Sequence, residues 1–467
     1  RRRRRSLILA CGSALLMAGC ASYRPTPIDP AVLAEVWQDL DQRGATEQVR
    51  AAVAASAAPS AVTGFDLADG IDLVEAEAAA LFFNPAIRAT RLQSGVPAAE
   101  ARHARLWEDP ELGIDGEYLL ADVDDPLVLG GSIGITIPLS GRRGAAARLA
   151  AARLAASELA VWGAEWALLS ELRQAWLELA GRRARIALLE RAETGLGRLV
   201  GLAPHFRAAQ AVTVVDERLL RIQQLRVRDA RLQAQARVAR QRLAILALIG
   251  LHPAQEWRLR ATWEELPTFA PVDAAQVLAE TLDHPQLRQV MAAYQVAERQ
   301  LALEVRKQYP DLRFGLGGGS DEGEAVVLFG LGLVPIPLWN ANRAAIAGAR
   351  AERAVAGVEI EAALQELTHR FAAAGQAHQV AAARLALLEQ ELAPLVDQQV
   401  TDARRLTGLG QLDLFLLADA LEQARQVRLE LLDARLALSA AALAQQTLVG
   451  PSIPMAVTGS AAGAAAP

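Results

Sequence analysis

The feature that most constrains this chain is an internal repeat, in which short motifs recur about 200 residues apart. Four landmarks keep this offset: 84–88 (NPAIR) with 284–288 (HPQLR), 109–112 (DPEL) with 309–312 (YPDL), Arg143 with Arg343, and 210–216 with 410–416. One offset held over so many landmarks predicts two copies of one structural unit. We place these copies at residues 67–266 and 267–450.

Each copy has the pattern helix, strand, strand, long helix, turn, helix. In the first copy a helical pattern covers 72–107, and apolar residues then alternate with small or polar ones, which predicts a β-hairpin at about 110–138. The second copy predicts a hairpin at about 310–337, with a loop over 317–324. A soluble hairpin could bury its apolar face against a helix, but strands of about nine to ten residues also suffice to cross a bilayer.

Four strands are too few to close around a lumen, and an open sheet in lipid would leave unpaired backbone groups at its edges. If the strands lie in a membrane, several copies of the chain must therefore pool their hairpins. Trp107, Tyr309 and Trp339 flank the strands and suit either an interfacial aromatic belt or packing at strand–helix junctions.

Long helices with coiled-coil spacing form the larger part of the pattern. A helix over 143–205 carries apolar residues at steps of three and four, as does the stretch 414–438. Shorter helices predicted over 213–249 and 273–308 would together span about the length of the long helix, roughly 100 Å. This arithmetic favours a two-tier helical tube over a compact bundle.

The first residues are typical of a targeting signal. Residues 1–19 have a basic start and a short apolar stretch, and Met17-Ala18-Gly19-Cys20 resembles the cleavage box of a bacterial lipoprotein signal. The resemblance implies acylation of Cys20 and sorting to the outer membrane. Residues 20–66 would then form a lipid-anchored extension, and we expect the tail 451–467 to be disordered.

Several motifs together resemble the TolC-type outer membrane efflux factor family, in its lipoprotein branch. They are the strand-to-helix corners 137–143 and 334–343, the Asn84-Pro85 and His284-Pro285 pairs, and the turn 408–413 with the following 417–420. The family implies a mainly α fold with a small β part, in which each chain is a duplicated helix–β-hairpin–long coiled-coil helix unit. It also implies a homotrimer, with twelve strands in one outer membrane β-barrel above a periplasmic α-helical barrel.

The resemblance further implies an export duct that receives substrates from an inner membrane RND-type pump through a periplasmic adaptor protein. Candidate adaptor-contact residues lie at the two helix turns: Phe206, Gln210, Val212, Thr213, Leu406, Gly408, Leu409, Gly410, Leu412 and Asp413. Candidate gate residues, which could form ion pairs that hold the duct closed, are Arg198, Arg207, Asp397, Asp402, Arg404 and Arg405. Tight helix–helix turns and solvated helix faces are the plainer interpretations of the same residues.

Composition argues against other functions. The 53 acidic residues outnumber the 48 basic ones, which disfavours nucleic acid as a partner. The two cysteines, Cys11 and Cys20, lie within the first twenty residues, and His369 and His378 do not share a helical face, so we predict no metal site, no cofactor and no enzyme activity. A periplasmic adaptor or a structural coiled-coil lipoprotein remains the alternative.

The turn and corner sequences look most like heavy-metal efflux components, although drug and protein exporters share this architecture.

Overall fold

In the computed structural model, the residues described are 23–55, 66–67, 69–118, 127–208, 212–263, 282–321, 324–331, 339–408 and 414–450. The chain divides after Asp41 into two units. The predicted signal, Cys20 and the tail 451–467 lie outside the described residues. In the first unit, helix α1 (Pro30–Asp39) begins with a proline, and the Asp29 side chain accepts a hydrogen bond from the Ala31 amide. No residue of α1 is buried.

The second unit contains all remaining helices and strands of the described chain. Helix α2 (Gln42–Ala55) precedes the repeat. The first copy contributes α3 (Leu73–Phe83), α4 (Pro85–Gln93), α5 (Gly95–His103), β1 (Glu111–Tyr118), β2 (Leu127–Ile137), α6 (Arg142–Ala208) and α7 (Val214–Ile249). The second contributes α8 (Pro285–Arg306), β3 (Leu312–Asp321), β4 (Glu324–Leu331), α9 (Arg343–Leu387), a π-helical turn (Leu388–Leu392), α10 (Ala393–Gly408) and α11 (Leu414–Val449). The prediction of a mainly helical fold with a small β part is confirmed.

Two predicted helices are interrupted in the structure. The pattern over 72–107 forms the three helices α3 to α5, because Pro85 and its capping residue Asn84 start a new helix and the chain turns again at Ser94. The pattern over 273–308 is broken by a turn before His284, and α8 begins at Pro285. Residues 273–281 of that pattern lie outside the described residues.

The four strands form one antiparallel sheet in the order β1-β2-β3-β4. The predicted loop over 317–324 is wrong for most of its length, since β3 continues to Asp321. Gly317, Gly318 and Gly319 pair with both neighbouring strands. This pairing needs only backbone groups, so the absence of side chains does not end the strand.

Helix α6 is the centre of the helical part and packs against α7, α8 and α11. It packs closely against α11 at Gly181, where an added Cβ would lie 2.4 Å from a methyl carbon of Leu436. Alanine dominates the buried positions of α9, which include Ala349, Ala356 and Ala363. Small residues at these seams allow the helices to pack closely. No helix in the described part of the chain is both long and apolar enough to cross a membrane.

Candidate functional site

Described residues beside the two predicted contact turns lie together in the fold. Ala203 of α6, Leu220 of α7 and Ala418 of α11 form one buried cluster, against which Phe206 and Val212 pack. The turn of the first copy is therefore packed against the helix that follows the turn of the second copy. We call the α6–α7 and α10–α11 turns, with this cluster, the tip.

Thr213 starts α7 with a capping box. Its hydroxyl accepts a hydrogen bond from the Asp216 amide at 3.3 Å, and the Asp216 carboxylate accepts one from the Thr213 amide at 2.7 Å. Leu406 is exposed near the end of α10, and Gly408 is the last residue of that helix. Gln210, Leu409, Gly410, Leu412 and Asp413 lie outside the described residues.

The predicted gate residues fall into two groups. Arg207 forms an ion pair with Glu217 across the first turn at 3.4 Å, and Asp397 forms one with Arg428 at 3.1 Å. The other four, Arg198, Asp402, Arg404 and Arg405, are exposed and form no ion pair with any residue the structure describes. No ion pair among the described residues joins two of the six candidates.

The sequence analysis did not identify Glu217 and Arg428, the ion-pair partners of Arg207 and Asp397. Their positions relative to the turns nevertheless indicate both pairs. In an antiparallel helical hairpin, residues equally distant from the turn face each other. Glu193 pairs with Arg231 at 2.7 Å across the first turn, and Glu389 pairs with Arg435 at 2.6 Å across the second. Asp397–Arg428 and Arg207–Glu217 follow the same rule.

The sheet has two chemically different faces. On one face, Leu112 and Ile114 of β1 are 75% and 81% exposed, and Leu112 is in register with Ile133, which pairs with Leu316. On the other face, these positions of β1, β2 and β3 are small or polar: Gly113, Ser132, Gly134, Thr136, Arg313, Gly315 and Gly317. The outer edges of β1 and β4 have no strand partner in the described chain. An apolar face, a polar face and two open edges are the properties expected of one segment of a larger sheet.

Two polar corners hold the sheet on the helices. After β2, the Asp311 carboxylate accepts a hydrogen bond from Ser140 Oγ at 2.9 Å and forms an ion pair with Arg142, with Nε at 2.7 Å. Before α9, the Glu304 carboxylate accepts bonds at 2.8 Å from Lys307, Gln300 and Asn342. Burial tends to raise the pKa of Glu304, but these hydrogen bonds outweigh it, so the pKa is lowered and the group stays ionised.

The aromatic residues beside the strands have different surroundings. The Arg143 guanidinium lies 4.5 Å from the centre of the Trp107 ring, which is a cation–π contact. Trp339 is 88% exposed, and Tyr309 is about half exposed. Within the described ranges, no three His, Cys, Asp or Glu residues are grouped so that they could hold a metal ion.

Helices at the two sides of the helical layer carry exposed apolar stripes. On α7 the stripe includes Val215, Leu219 and Ile222, and on α9 it includes Val355, Val358 and Val380. The three α7 residues, and Val355 and Val358 of α9, are spaced by three or four residues, as in a coiled-coil seam. Each helix also has a second, buried stripe inside the chain, such as Leu220, Val227 and Ala234 of α7.

The fold is that of solved outer membrane channels. The MtrE outer membrane channel of Neisseria gonorrhoeae, in its open state, has a TM-score of 0.68 at 17% identity, over 84% of this chain and 94% of that chain. The outer membrane protein VceC of Vibrio cholerae has a TM-score of 0.67 at 18% identity, over 81% of this chain and 96% of that one. CusC, which forms a transmembrane channel, has a TM-score of 0.70 at 16% identity, over 81% and 92%.

No protein-family model matches the sequence, and no curated protein matches it significantly. The structural likeness nevertheless extends over four fifths of the chain. The chain therefore has the fold of the TolC-type outer membrane efflux channels, and the resemblance recognised in its motifs is confirmed.

Proposed function

We propose that this protein is the outer membrane channel of a tripartite efflux system, anchored through acylated Cys20 and extending into the periplasm. Three copies would contribute four strands each to a twelve-stranded barrel, and their helices would form a tunnel below it. The channel would be a passive duct, with no bond chemistry of its own. The shared fold with MtrE, VceC and CusC supports this proposal.

The observation that carries the proposal is the two-faced sheet with open edges. Exposed Leu112 and Ile114 would face lipid, whereas the glycine-rich and polar positions would face a lumen. Because unpaired backbone is costly in a bilayer, the free edge of β1 needs a partner, and β4 of a second copy supplies one. A repeated contact of this kind closes into a ring.

The helical part supports the same ring. The exposed stripes of α7 and α9 lie on different helices, so a head-to-tail contact would place α7 of one copy beside α9 of the next. Burying two such apolar stripes against each other favours association, at roughly 25 cal/mol for each Å² of apolar surface removed from water. Each helix of the tunnel would then have neighbours on both sides.

The tip is the proposed docking site for the periplasmic adaptor, which would connect the duct to an inner membrane RND-type pump. The adaptor-contact and gate residues named from the sequence retain these proposed roles. For the gate we add Glu217 and Arg428, because they hold Arg207 and Asp397 in ion pairs. The proposed cargo is a heavy-metal cation, on the resemblance of the tip and corner sequences.

Planar-bilayer conductance of the purified protein tests the proposed function. We expect discrete conductance steps from a trimeric species that fractionates with the outer membrane. A protein that is monomeric, conducts nothing and leaves the membrane when its lipid is removed would contradict the proposal and favour a structural lipoprotein. Growth of a deletion strain on copper or zinc salts, compared with drugs, tests the cargo: selective sensitivity to the metals is expected.

A further inference from the structure

A groove of about 590 Å³ lies between α6, α10 and α11, close to the tip. Its floor includes the buried residues Leu196, Val400 and Ala424. Five arginines line it: Arg191 and Arg198 of α6, Arg404 of α10, and Arg425 and Arg428 of α11. The groove thus combines an apolar floor with guanidinium groups along its sides.

The charges that line the groove are only partly balanced. Glu422 pairs with Arg425, and Asp397 pairs with Arg428. The hydrogen bonds from Arg425 lower the pKa of Glu422, so this carboxylate is ionised and neutralises its partner. Arg191, Arg198 and Arg404 are exposed and form no ion pair with the residues that the structure describes. Three positive charges are left over, and a negatively charged ligand would match them.

The arrangement of these charges suits a helical ligand. Arg191 and Arg198 are seven residues apart, which places them on the same face of α6, about 10 Å from each other along its axis. Carboxylates spaced by seven residues on a partner helix would repeat at the same distance. Apolar side chains between them would contact the floor at Leu196 and Val400.

Gly195 leaves open space at the side of the groove. A glycine inside a helix destabilises it by roughly 0.5–1 kcal/mol relative to alanine, and at some positions it allows a neighbour to pack closely. Gly181 and Gly197 have such neighbours, since an added Cβ would lie 2.4 Å from Leu436 and 3.0 Å from Gln224. Gly195 lines the groove, and no atom lies within 4 Å of the place where its Cβ would be. The space beside Gly195 is therefore open to a ligand from outside the chain.

We propose that this groove binds an α-helix of the periplasmic adaptor that presents carboxylates to Arg191, Arg198 and Arg404 and passes closely over Gly195. This inference rests on the proposed function, because it takes the adaptor as the partner. It adds the charge of the contacting helix and a contact area beyond the turns themselves. The three arginines determine the charge preference, and Gly195 provides the room.

The test uses the full-length protein in lipid nanodiscs and two labelled helical peptides of alanine and leucine. One peptide carries glutamates at a seven-residue spacing, and the other carries glutamines at the same positions. Fluorescence anisotropy measures binding to the wild type, to R191A/R198A/R404A, and to a matched control, R306A/R350A/R384A. The control arginines are also exposed, form no ion pair with any described residue, and lie outside the groove. A second pair of variants compares Gly195→Leu with Gly348→Leu, since Gly348 of α9 is also open to solvent.

We expect the glutamate peptide to bind better than the glutamine peptide, with binding that weakens as salt increases. The groove variant should bind it about tenfold more weakly or worse, whereas the control variant should match the wild type. Gly195→Leu should block binding, and Gly348→Leu should not. Equal affinity for the two peptides, or equal loss in the groove and control variants, would overturn the inference.

Bilayer conductance of the same preparations separates this inference from the proposed function. One possible result is normal conductance with peptide binding that does not change when the three arginines are replaced. This result overturns the groove as an acidic-helix site and leaves the channel proposal intact. Absence of conductance in the wild type overturns the channel proposal and, with it, the adaptor as the partner.

Discussion

The two copies of the repeat start corresponding helices in the same way but with different side chains. Asn84 caps α4 by accepting a hydrogen bond from the Ala86 amide at 2.9 Å, and it donates one to the carbonyl oxygen of Leu248 at 2.8 Å. His284 caps α8 by accepting a bond from the Gln286 amide at 3.2 Å, and its ring also bonds the backbone of Thr447. Each side chain thus joins the start of one helix to the last turn of another.

A glycine completes each junction. Gly250 follows α7 with φ of 91°, and Gly450 follows α11 with φ of 89°. Both adopt the left-handed conformation that favours glycine. The repeat therefore preserves the geometry of the junction but not its chemistry. One copy uses an amide, which does not titrate, and the other uses an imidazole, which does.

Substitution of the two glycines should distinguish the junctions most strongly. In Gly250→Ala the new Cβ would lie 2.7 Å from the carbonyl oxygen of Phe83, whereas in Gly450→Ala the nearest atom, Cδ of Pro285, would be 3.4 Å away. Both variants carry the left-handed penalty of about 1–2 kcal/mol, but only the first adds a backbone clash. Thermal unfolding should show the larger loss for Gly250→Ala, by about 1 kcal/mol or more. Equal losses would mean that the two junctions do not differ in packing.

Removal of the capping side chains should have the next largest effect. Asn84→Ala loses the cap and leaves the Leu248 carbonyl without this donor, so we expect a loss of about 1–3 kcal/mol. His284→Asn should retain most of the stability, because asparagine can cap a helix in the same position. Urea unfolding measures both, and a larger loss in His284→Asn than in Asn84→Ala would show that the two caps are not equivalent.

Of the two junctions, only the second should have a stability that depends on pH. Burial is the main cause that lowers the pKa of His284 below its usual value of 6.5, and the nearby positive charge of Arg370 acts in the same direction. As the pH falls below about 6.5, the unfolded chain takes up a proton that the folded chain resists, so the free energy of unfolding decreases. Above that pH the contribution is fully present.

Thermal midpoints at about pH 7.5 and pH 5.5 measure this difference. The wild type should lose more stability at the lower pH than His284→Asn does. The same loss in both proteins would assign the acid sensitivity to other groups.

The smallest expected effect concerns the corners that precede α6 and α9. Gly141 provides the positive φ, 72°, in the first copy, whereas Ala341 and Asn342 adopt φ of 43° and 55° in the second. Ala341→Gly should therefore stabilise the protein by up to about 1 kcal/mol, because it removes a conformation that alanine adopts reluctantly. A lower thermal midpoint would contradict the presence of strain at this corner.

Much of the fold could be predicted from the sequence because the repeat and the periodicity report on the same structure. The hairpin near 110–138 and the long helix α6 follow from strand and helix periods that persist over many residues. The break at Asn84 was missed because the apolar pattern continues through it, although Pro85 is a signal for a new helix. The recurrence of Gly250 as Gly450 was also available as a landmark.

The candidate site was less predictable for a physical reason. Sequence motifs located the tip, but ion pairs such as Asp397–Arg428 depend on which helix faces touch, and this is fixed by tertiary packing. The groove lined by Arg191, Arg198 and Arg404 joins three helices that are distant in sequence. No local pattern distinguishes these arginines from others on solvated faces.

The central claim is that three copies of the chain complete one barrel. Cross-linking of the two free sheet edges tests it most directly. Native cysteines lie only at positions 11 and 20, so Cys substitutions of Ile114 in β1 and Val327 in β4 can be joined selectively by a short bifunctional reagent. The account predicts covalent dimers and trimers, with the trimer as the largest species. Monomers alone, or a ladder that continues beyond three copies, would contradict it.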